Sequence, residues 1–301
     1  MLQKFGAYFF FTYICSVLIS TTLKNNNTMI EIQNISFKYA GTSRYIFKDF
    51  DLKLEENRIY GLLGKNGTGK STLLYLISGL LRAMNGSIVF DGLETSKRCP
   101  DTLSEIFILP EVFKLPKVSL VNYVKMNRGF YKNFSDEILN SCLRDFELTT
   151  DIHLNELSMG QAKKAFMSFA LATNTKLLLM DEPTNGLDIP SKSQFRKVVA
   201  GNMTEDRTVI ISTHQVHDIE QLLDHILMLE GKELKLNASV SDICDKYKFE
   251  YRTPDDMADI LYAEPTLQGN AVIAPRGNSE ETPLNLELLF NAVTKGAINT
   301  K

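Results

Sequence analysis

The sequence GKNGTGKS at positions 64–71 fits the pattern G-x-x-x-x-G-K-[ST]. It follows the short apolar run RIYGLL at 58–63, which is typical of a buried strand, and precedes a segment predicted to be helical from about Lys70 to Leu80. Glycines allow main-chain N–H groups to turn toward anionic oxygens, and the start of a helix adds partial positive charge. The stretch therefore predicts a phosphate-binding loop between a strand and a helix of an α/β fold.

The residues of this loop indicate how a nucleotide would be held. Lys70 can reach the β- and γ-phosphates as a point charge, and the Ser71 hydroxyl suits Mg²⁺. The alternative is a glycine-rich turn that binds nothing. Chance gives on the order of one match per hundred chains of this length, and the strand–loop–helix context lowers that figure. The predicted nucleotide-binding residues of the loop are Gly64, Lys65, Asn66, Gly67, Thr68, Gly69, Lys70, Ser71 and Thr72.

Two carboxylates end a second apolar run, LLLM at 177–180. Ligands of open α/β sheets bind at the carboxyl ends of the strands, so Asp181 and Glu182 are expected to lie near the phosphate loop. Asp181 would hold Mg²⁺ directly or through water, and Glu182 would act as a general base on the attacking water. The alternative, a solvated acidic turn, is weak once a phosphate loop is present in the same chain.

Strand-like patterns recur along the chain, at 29–37, 47–54, 87–90, 176–180, 208–211 and 226–229. The second of these is broken once in its alternation. Residues of about 97–160 have helical periodicity instead and are predicted to form a helical insertion. Apolar strands that alternate with helices indicate a parallel sheet covered on both faces. From 237 onward the pattern weakens, and the tail is predicted to be a small appended α/β element.

The composition excludes several classes of protein. The chain has 301 residues, with 33 Lys and Arg against 36 Asp and Glu, and a net charge of −3. Because nucleic-acid-binding domains usually carry an excess of basic residues, no nucleic acid partner is expected. At most one apolar stretch approaches membrane length, so a membrane protein with many spans is excluded. The four cysteines are far apart in sequence, which favours reduced thiols over disulfides.

The N-terminal segment, residues 1–28, differs from the rest. Its apolar stretch FGAYFFFTYICSVLI at 5–19 would be roughly 22 Å long as a helix, which is short for a bilayer core of about 30 Å. Three interpretations are open: translation begins at Met29 and the segment does not belong to the native protein, the segment is a membrane anchor, or it is a signal peptide. The first is favoured, and secretion conflicts with a nucleotide-dependent domain.

A third motif shows a family resemblance. The sequence LSMGQ at 157–161 precedes the acidic pair, and in combination with the two nucleotide motifs it resembles the signature of ATP-binding subunits of ABC transporters. The resemblance covers roughly 29–229. It implies an α/β fold with a P-loop NTPase core and a mainly parallel sheet, an N-terminal antiparallel β subdomain and an inserted helical subdomain. The ATPase domain would then be 29–236, and residues 237–301 a small C-terminal accessory segment.

The resemblance also assigns roles to individual positions. Tyr39 matches the aromatic residue that stacks on adenine, although a partly buried strand tyrosine is an equal alternative. His214 matches the switch histidine that contacts the γ-phosphate, and Asp188 matches the aspartate that communicates across a dimer. By the same resemblance, the residues that contact the nucleotide of a partner subunit are Ser158, Gly160 and Gln161.

The sequence departs from the family pattern at two positions. Glu111 follows the strand IFILP at 106–110, where the family has a glutamine that contacts the metal. A carboxylate can still bind Mg²⁺, since hard oxygen ligands suit that ion, but an ordinary loop glutamate is an equal alternative. Met159 stands where the family commonly has glycine. Ser158 and the main chain of Gly160 are expected to recognise the nucleotide, so methionine at position 159 should have little effect on the motif.

The family likeness implies a function. ATP and Mg²⁺ would bind between two copies of an ABC ATPase subunit arranged head to tail, with Lys70, Glu182 and His214 as catalytic residues. Hydrolysis would power transport through separate transmembrane permease subunits, so the chain is expected in the cytoplasm, peripheral on the inner face of the cell membrane. One copy of each motif makes this chain half of such a dimer.

Two other functions are weaker. A soluble ABC ATPase acting in DNA repair or on ribosomes would carry a long coiled-coil insertion or two tandem cassettes, and the sequence has neither. The balanced charge also argues against it. A nucleotide-binding regulator that does not hydrolyse ATP conflicts with the intact Glu182 and His214.

Overall fold

A computed structural model describes residues 28–298 of the chain. The predicted N-terminal extension therefore lies outside the described residues except for its last residue, Thr28. Within residues 28–298, no helix combines the length and the apolar character that crossing a membrane requires.

Strands and helices alternate through most of the chain. The strands are β1 (Thr28–Phe37), β2 (Phe47–Glu55), β3 (Ile59–Leu63), β4 (Asn85–Phe90), β5 (Leu93–Glu94), β6 (Ile106–Leu109), β7 (Leu177–Asp181), β8 (Thr208–Thr213), β9 (His225–Glu230), β10 (Glu233–Ser239), β11 (Tyr247–Arg252), β12 (Tyr262–Thr266) and β13 (Gly269–Pro275). The α-helices are α1 (Lys70–Ile77), α2 (Pro100–Leu103), α3 (Leu120–Asn127), α4 (Asp136–Asp145), α5 (Met159–Ala172), α6 (Ile189–Gly201), α7 (Val240–Lys246) and α8 (Leu286–Thr294).

The first sheet is antiparallel, with the strand order β2-β1-β4-β5. Ile30 pairs with Leu54 and Ile32 with Leu52, but the register between β1 and β2 shifts between Ile35, which pairs with Phe50, and Phe37, which pairs with Phe47. This shift places one extra residue on β2 between Phe47 and Phe50 and accounts for the break in alternation seen in its sequence. This sheet is the predicted antiparallel β subdomain.

The central sheet has the order β10-β9-β3-β8-β7-β6 and is parallel except for the edge strand β10. Both of its faces are buried. On β7, Leu177 and Leu179 pack into one apolar cluster with α1, whereas Leu178 and Met180 pack into the other with α5 and α6. Burial on both faces explains why these strands are continuous apolar runs, and it confirms the predicted fold class.

The stretch predicted as a helical insertion contains one strand of the central sheet. Strand β6 pairs in parallel with β7, and helices α3 and α4 follow it before α5 begins. Ser119 and Ser135 cap α3 and α4 by accepting the main-chain N–H of Asn122 and Ile138. The helical part therefore lies between β6 and α5.

The C-terminal part forms the three-stranded antiparallel sheet β11-β13-β12 between α7 and α8. Strand β10 spans the predicted boundary at 236 and 237 and pairs with β9 of the central sheet. Helix α8 packs on the short turn after β8, where His217 Nε2 lies 2.6 Å from Glu287 Oε2 and the main-chain N–H of Leu286 donates to Glu220 at 2.6 Å. The tail is thus attached to the segment that follows His214.

Candidate nucleotide-binding site

The loop at 64–71 joins β3 to α1 at the carboxyl end of the central sheet. Gly67 and Gly69 have left-handed φ angles of 80° and 105°. At Gly64 a Cβ atom would lie 2.6 Å from the main-chain oxygen of Leu229 and 2.7 Å from the Thr68 hydroxyl. The loop conformation therefore requires glycine at these three positions, as expected for a main chain that curves around an anion.

Lys70 is the first residue of α1, and its side chain folds back under the loop. Its Nζ donates to the main-chain oxygen of Gly64 at 2.8 Å and that of Lys65 at 3.3 Å. The side chain is buried, and burial lowers the pKa of Lys70, while the charges of Glu182, Asp181 and Glu111 act in the opposite direction. A fixed cation thus lies beneath the main-chain cradle.

Tyr39 lies just after β1, beside the helix that follows the loop. Its hydroxyl is 3.0 Å from the Thr72 hydroxyl, and its ring makes an edge-to-face contact with Phe37. The residue is 41% exposed. Tyr39 therefore lies outside β1 and next to the phosphate loop, and its role as an aromatic platform for adenine stays a prediction.

Asp181 ends β7, and its Oδ1 accepts a hydrogen bond from the Ser212 hydroxyl. Burial raises the pKa of Asp181, and hydrogen bonds from Ser212 and Ser71 oppose that shift. The Ser71 hydroxyl and the Asp181 carboxylate are therefore neighbours and offer the hard oxygen ligands that Mg²⁺ prefers. Within residues 28–298 there is no group of three or more His, Cys, Asp or Glu side chains that would hold a metal alone. The residues present fit an ion that takes its other ligands from phosphates and water.

Glu182 is held from the neighbouring strand β8. Its carboxylate accepts from the Thr213 hydroxyl at 2.9 Å and from the main-chain N–H of His214 at 3.1 Å, and His214 Nδ1 lies 2.8 Å from Oε1. Its main-chain φ is 46°, in the left-handed region. Both predicted residues, Glu182 and His214, thus meet at adjacent strand ends.

Glu111 belongs to a chain of amide contacts at the same edge of the sheet. Its Oε1 accepts from Asn185 Nδ2 at 2.9 Å, and Asn185 Oδ1 accepts from Gln215 Nε2 at 3.1 Å. The charge of Glu111 also acts on the pKa values of Lys70 and Asp181. The loop after β6 is thereby connected to the segments after β7 and β8.

The signature motif forms the start of α5. Ser158 accepts the main-chain N–H of Gln161 at 3.3 Å, and the Gln161 side chain accepts the N–H of Ser158 at 3.1 Å. This reciprocal capping box leaves Met159 68% exposed at the helix N-terminus beside Gly160. Asp188 caps α6 in a similar way, accepting the N–H of Ser191 at 2.9 Å. Hydrogen bonds from Ser191 lower the pKa of Asp188.

Four side chains of the site were not predicted from the sequence: Lys163, Asn185, Thr213 and Gln215. Lys163 is buried and donates to the main-chain oxygens of Glu182 at 3.0 Å and Asn185 at 2.7 Å. The one sequence signal for Lys163 is its position within the apolar pattern of α5. A lysine on a buried helix face is expected to have a partner for its ammonium group, because lysine is rarely buried without one.

The sequence of the chain is similar to those of known proteins. A family model described as ABC transporter matches residues 47–185. The chain is 32% identical over 225 residues to the ABC transporter ATP-binding protein YtrB of Bacillus subtilis (strain 168), covering 74% of this chain and 75% of the relative. It is 27% identical over 275 residues to the "Uncharacterized ABC transporter ATP-binding protein YhcH" of the same organism, covering 87% of this chain and 88% of the relative.

Solved structures share the fold. A chain described as the structure of an ATP binding subunit of an ABC transporter aligns with a TM-score of 0.65 at 23% identity, over 72% of this chain and 92% of that chain. At this identity the likeness concerns the fold alone.

Proposed function

The chain belongs to the family of ABC transporter ATP-binding proteins, and on that basis we propose that it hydrolyses MgATP at the 64–72 loop to power a separate transmembrane permease. One observation carries the assignment of the catalytic residues. Lys70 Nζ lies 3.8 Å from Glu182 Oε1, and Glu182 in turn contacts His214. The carboxylate proposed as the base therefore lies between the cation that would bind phosphate and the histidine.

The loop holds the triphosphate through its main chain and one ammonium group. Main-chain N–H groups from Gly64 to Thr72 and the N-terminus of α1 bind the phosphate oxygens. Lys70 exchanges the carbonyl oxygens of Gly64 and Lys65 for oxygens of the β- and γ-phosphates. Since Lys70 is already buried and oriented, little side-chain entropy is lost when the nucleotide binds. The half-exposed ring of Tyr39 stacks on the adenine.

Ser71 and Asp181 would hold the magnesium ion that accompanies ATP. When bound there, Mg²⁺ supplies positive charge on the phosphate oxygens. Glu111 provides a further carboxylate at this edge, or a water-mediated contact, in place of the usual amide. Asp181 is kept in position by the Ser212 hydroxyl, so its carboxylate faces the loop without rearrangement.

Glu182 acts as the base for the attacking water. Its carboxylate is fixed by Thr213 and by the main chain of His214, so it can orient a water molecule and accept its proton. His214 lies beside this carboxylate and would contact the γ-phosphate. Catalysis therefore rests on positioning and on fixed charges rather than on a covalent intermediate.

A second copy of an ABC ATPase subunit completes the site. The N-terminus of α5, with Ser158, Gly160 and Gln161, would cover the γ-phosphate held by the partner, while Asp188 lies at the contact. ATP touches both subunits only when they are closed, so it stabilises the closed dimer by that difference in contacts. Loss of phosphate after hydrolysis removes those contacts and lets the dimer open.

The permease would contact the helical region. Exposed apolar side chains there, such as Val112, Met126 and Phe130, are suited to a protein interface. The chain would then lie in the cytoplasm on the inner face of the membrane, where MgATP is available.

The proposal is tested by phosphate release from the purified full chain with MgATP. We expect turnover that depends on Mg²⁺, and a dimer detected by light scattering when hydrolysis is blocked by Glu182→Gln. A chain that stays monomeric with saturating MgATP, even as Glu182→Gln, would overturn the proposed dimer. Turnover that is unchanged in Glu182→Gln would overturn the assignment of the base.

A further inference from the structure

Lys163 connects two parts of the molecule that have separate roles in the proposed function. It lies on α5, two residues after Gln161 of the signature motif, and is only 5% exposed. Its Nζ donates to the main-chain oxygens of Glu182 at 3.0 Å and Asn185 at 2.7 Å. The Glu182 oxygen also accepts the N–H of Asn185 at 3.2 Å. Lys163 therefore bonds to both ends of one tight turn, 182–185.

This turn needs support, because it begins with an unfavourable main-chain conformation. Glu182 has a φ of 46°, and a residue with a Cβ atom adopts that region only where its surroundings hold it there. Thr213 and His214 hold the side chain of Glu182 from β8, but they do not hold its carbonyl. The two donors of Lys163 fix the carbonyl side of the turn from α5.

The groups that accept hydrogen bonds from Lys163 show whether it orients the main chain of the turn or neutralises the carboxylate of Glu182. Its ammonium group donates to carbonyl oxygens and not to the carboxylate of Glu182, which is bound by Thr213 and His214. The carboxylates of Glu111, Asp181 and Glu182 nevertheless act on it electrostatically, which offsets part of the cost of burying the charge. Its direct effect is thus on the backbone that aims the base.

We infer that Lys163 is a positioning residue for ATP hydrolysis, which fixes the 182–185 turn and thereby the carboxylate of Glu182. This inference rests on the proposed function, in which Glu182 is the base. Lys163 and the signature residues lie on the same helix, α5. Lys163 therefore also connects two sites: the signature surface, which would cover the nucleotide of the partner subunit, and Glu182, which would act on the nucleotide bound by this chain.

The test compares two neighbouring lysines of α5 in the purified full chain. Lys163→Met keeps the length and apolar stem but removes the donors, and the matched control is Lys164→Met, whose lysine donates to Gln194 on the surface of α6 at 2.9 Å. For Lys163→Met we expect kcat for MgATP to fall by about tenfold or more with KM within about threefold, because charged hydrogen bonds that orient the base are lost while the phosphate loop is intact. Lys164→Met should stay within about twofold of the unmodified chain in both constants. Lys163→Arg, which keeps charged donors, should recover part of kcat.

The outcomes separate the inference from the proposed function. Absence of turnover in the unmodified chain would overturn the proposed function. Turnover in the unmodified chain with kcat unchanged in Lys163→Met would overturn the role of Lys163, as would a parallel loss of kcat and MgATP affinity. Lys163→Gln replaces Lys163→Met if the latter does not fold. If neither variant folds in thermal unfolding measurements, Lys163 serves stability and the inference is wrong.

Discussion

The ammonium group of Lys70 lies 3.8 Å from Oε1 of Glu182, and both side chains are buried at the carboxyl end of the central sheet. The phosphate-binding residue and the expected base therefore share one low-dielectric region. Removing the charge of either residue changes the electrostatic environment of the other. Substitutions of Lys70 and of Glu182 should nevertheless differ in effect, because Lys70 is expected to bind phosphate and Glu182 to accept a proton.

Glu182→Gln is expected to bind MgATP and to abolish most of its hydrolysis. The amide keeps the size of the side chain and an acceptor for Thr213, but it cannot accept a proton from water. Turnover should fall at least about a hundredfold. Phosphate release measures the rate, and equilibrium titration with MgATP measures the affinity. Glu147→Gln, on the exposed surface after α4, serves as a control for the change of charge.

Lys70→Ala is expected to weaken MgATP binding by at least about tenfold, because it removes a buried cation that would bind two phosphates. Titration with MgATP measures this loss. Lys53→Ala is the control, since Lys53 forms an exposed pair with Glu31 on the antiparallel sheet. Equal affinities of the unmodified chain and Lys70→Ala would contradict the assignment of the phosphate loop.

Sequence patterns predicted the parts of the molecule that depend on local order. The apolar runs at 58–63 and 177–180 became strands β3 and β7, since burial on both faces requires apolar residues throughout. The helix predicted from Lys70 to Leu80 ends earlier, at Ile77, because the chain turns at Gly79 with a φ of 69°. Because the strands are parallel, the motifs that follow them were then predicted to meet at one edge of the sheet.

Contacts between distant segments were beyond the sequence patterns. Lys163 reaches the 182–185 turn, and Asn185 joins Glu111 to Gln215, only because three strand ends and α5 converge. Edge strand β10 was also missed as part of the central sheet, since pairing with β9 does not alter its mixed pattern. Such contacts depend on packing and not on periodicity.

His214→Ala is expected to lower kcat by about tenfold or more with a smaller change in MgATP affinity. The side chain contacts the carboxylate of Glu182 at 2.8 Å, so its loss leaves the base less well oriented. Steady-state kinetics separate the two constants. His153→Ala, at an exposed position between α4 and α5, is the control. A wild-type kcat in His214→Ala would remove His214 from the catalytic set.

Cys142 is expected to make the protein less stable at alkaline pH. Burial raises the pKa of this thiol from 9.0 to about 12. Below pH 9 the thiol is neutral in both states; between pH 9 and 12 only the unfolded state loses the proton, so the free energy of unfolding falls as pH rises. From pH 8 to 10 the fall should be about 1.4 kcal/mol larger for the unmodified chain than for Cys142→Ala. Urea unfolding at both pH values measures the difference, and equal pH slopes would contradict it.

Arg207 is expected to stabilise the fold by binding the C-terminal ends of α5 and α6. It is fully buried, and burial lowers its pKa to about 10. Its guanidinium donates to Leu171 O at 3.1 Å and Asn174 Oδ1 at 2.7 Å at the end of α5, and to Asn202 O at 2.6 Å at the end of α6. Helix ends leave carbonyl groups without partners, so one side chain satisfies two helices at once.

Arg207→Met should therefore remove these hydrogen bonds from partly buried oxygens at the ends of two helices and lower the free energy of unfolding by about 3 kcal/mol. Urea unfolding followed by circular dichroism measures this change. Arg58→Met, whose arginine forms a partly exposed pair with Glu55 at 2.5 Å, should change stability by only about 0.5 kcal/mol. A loss in Arg207→Met no larger than that in Arg58→Met would show that water satisfies the two helix ends as well as the guanidinium does.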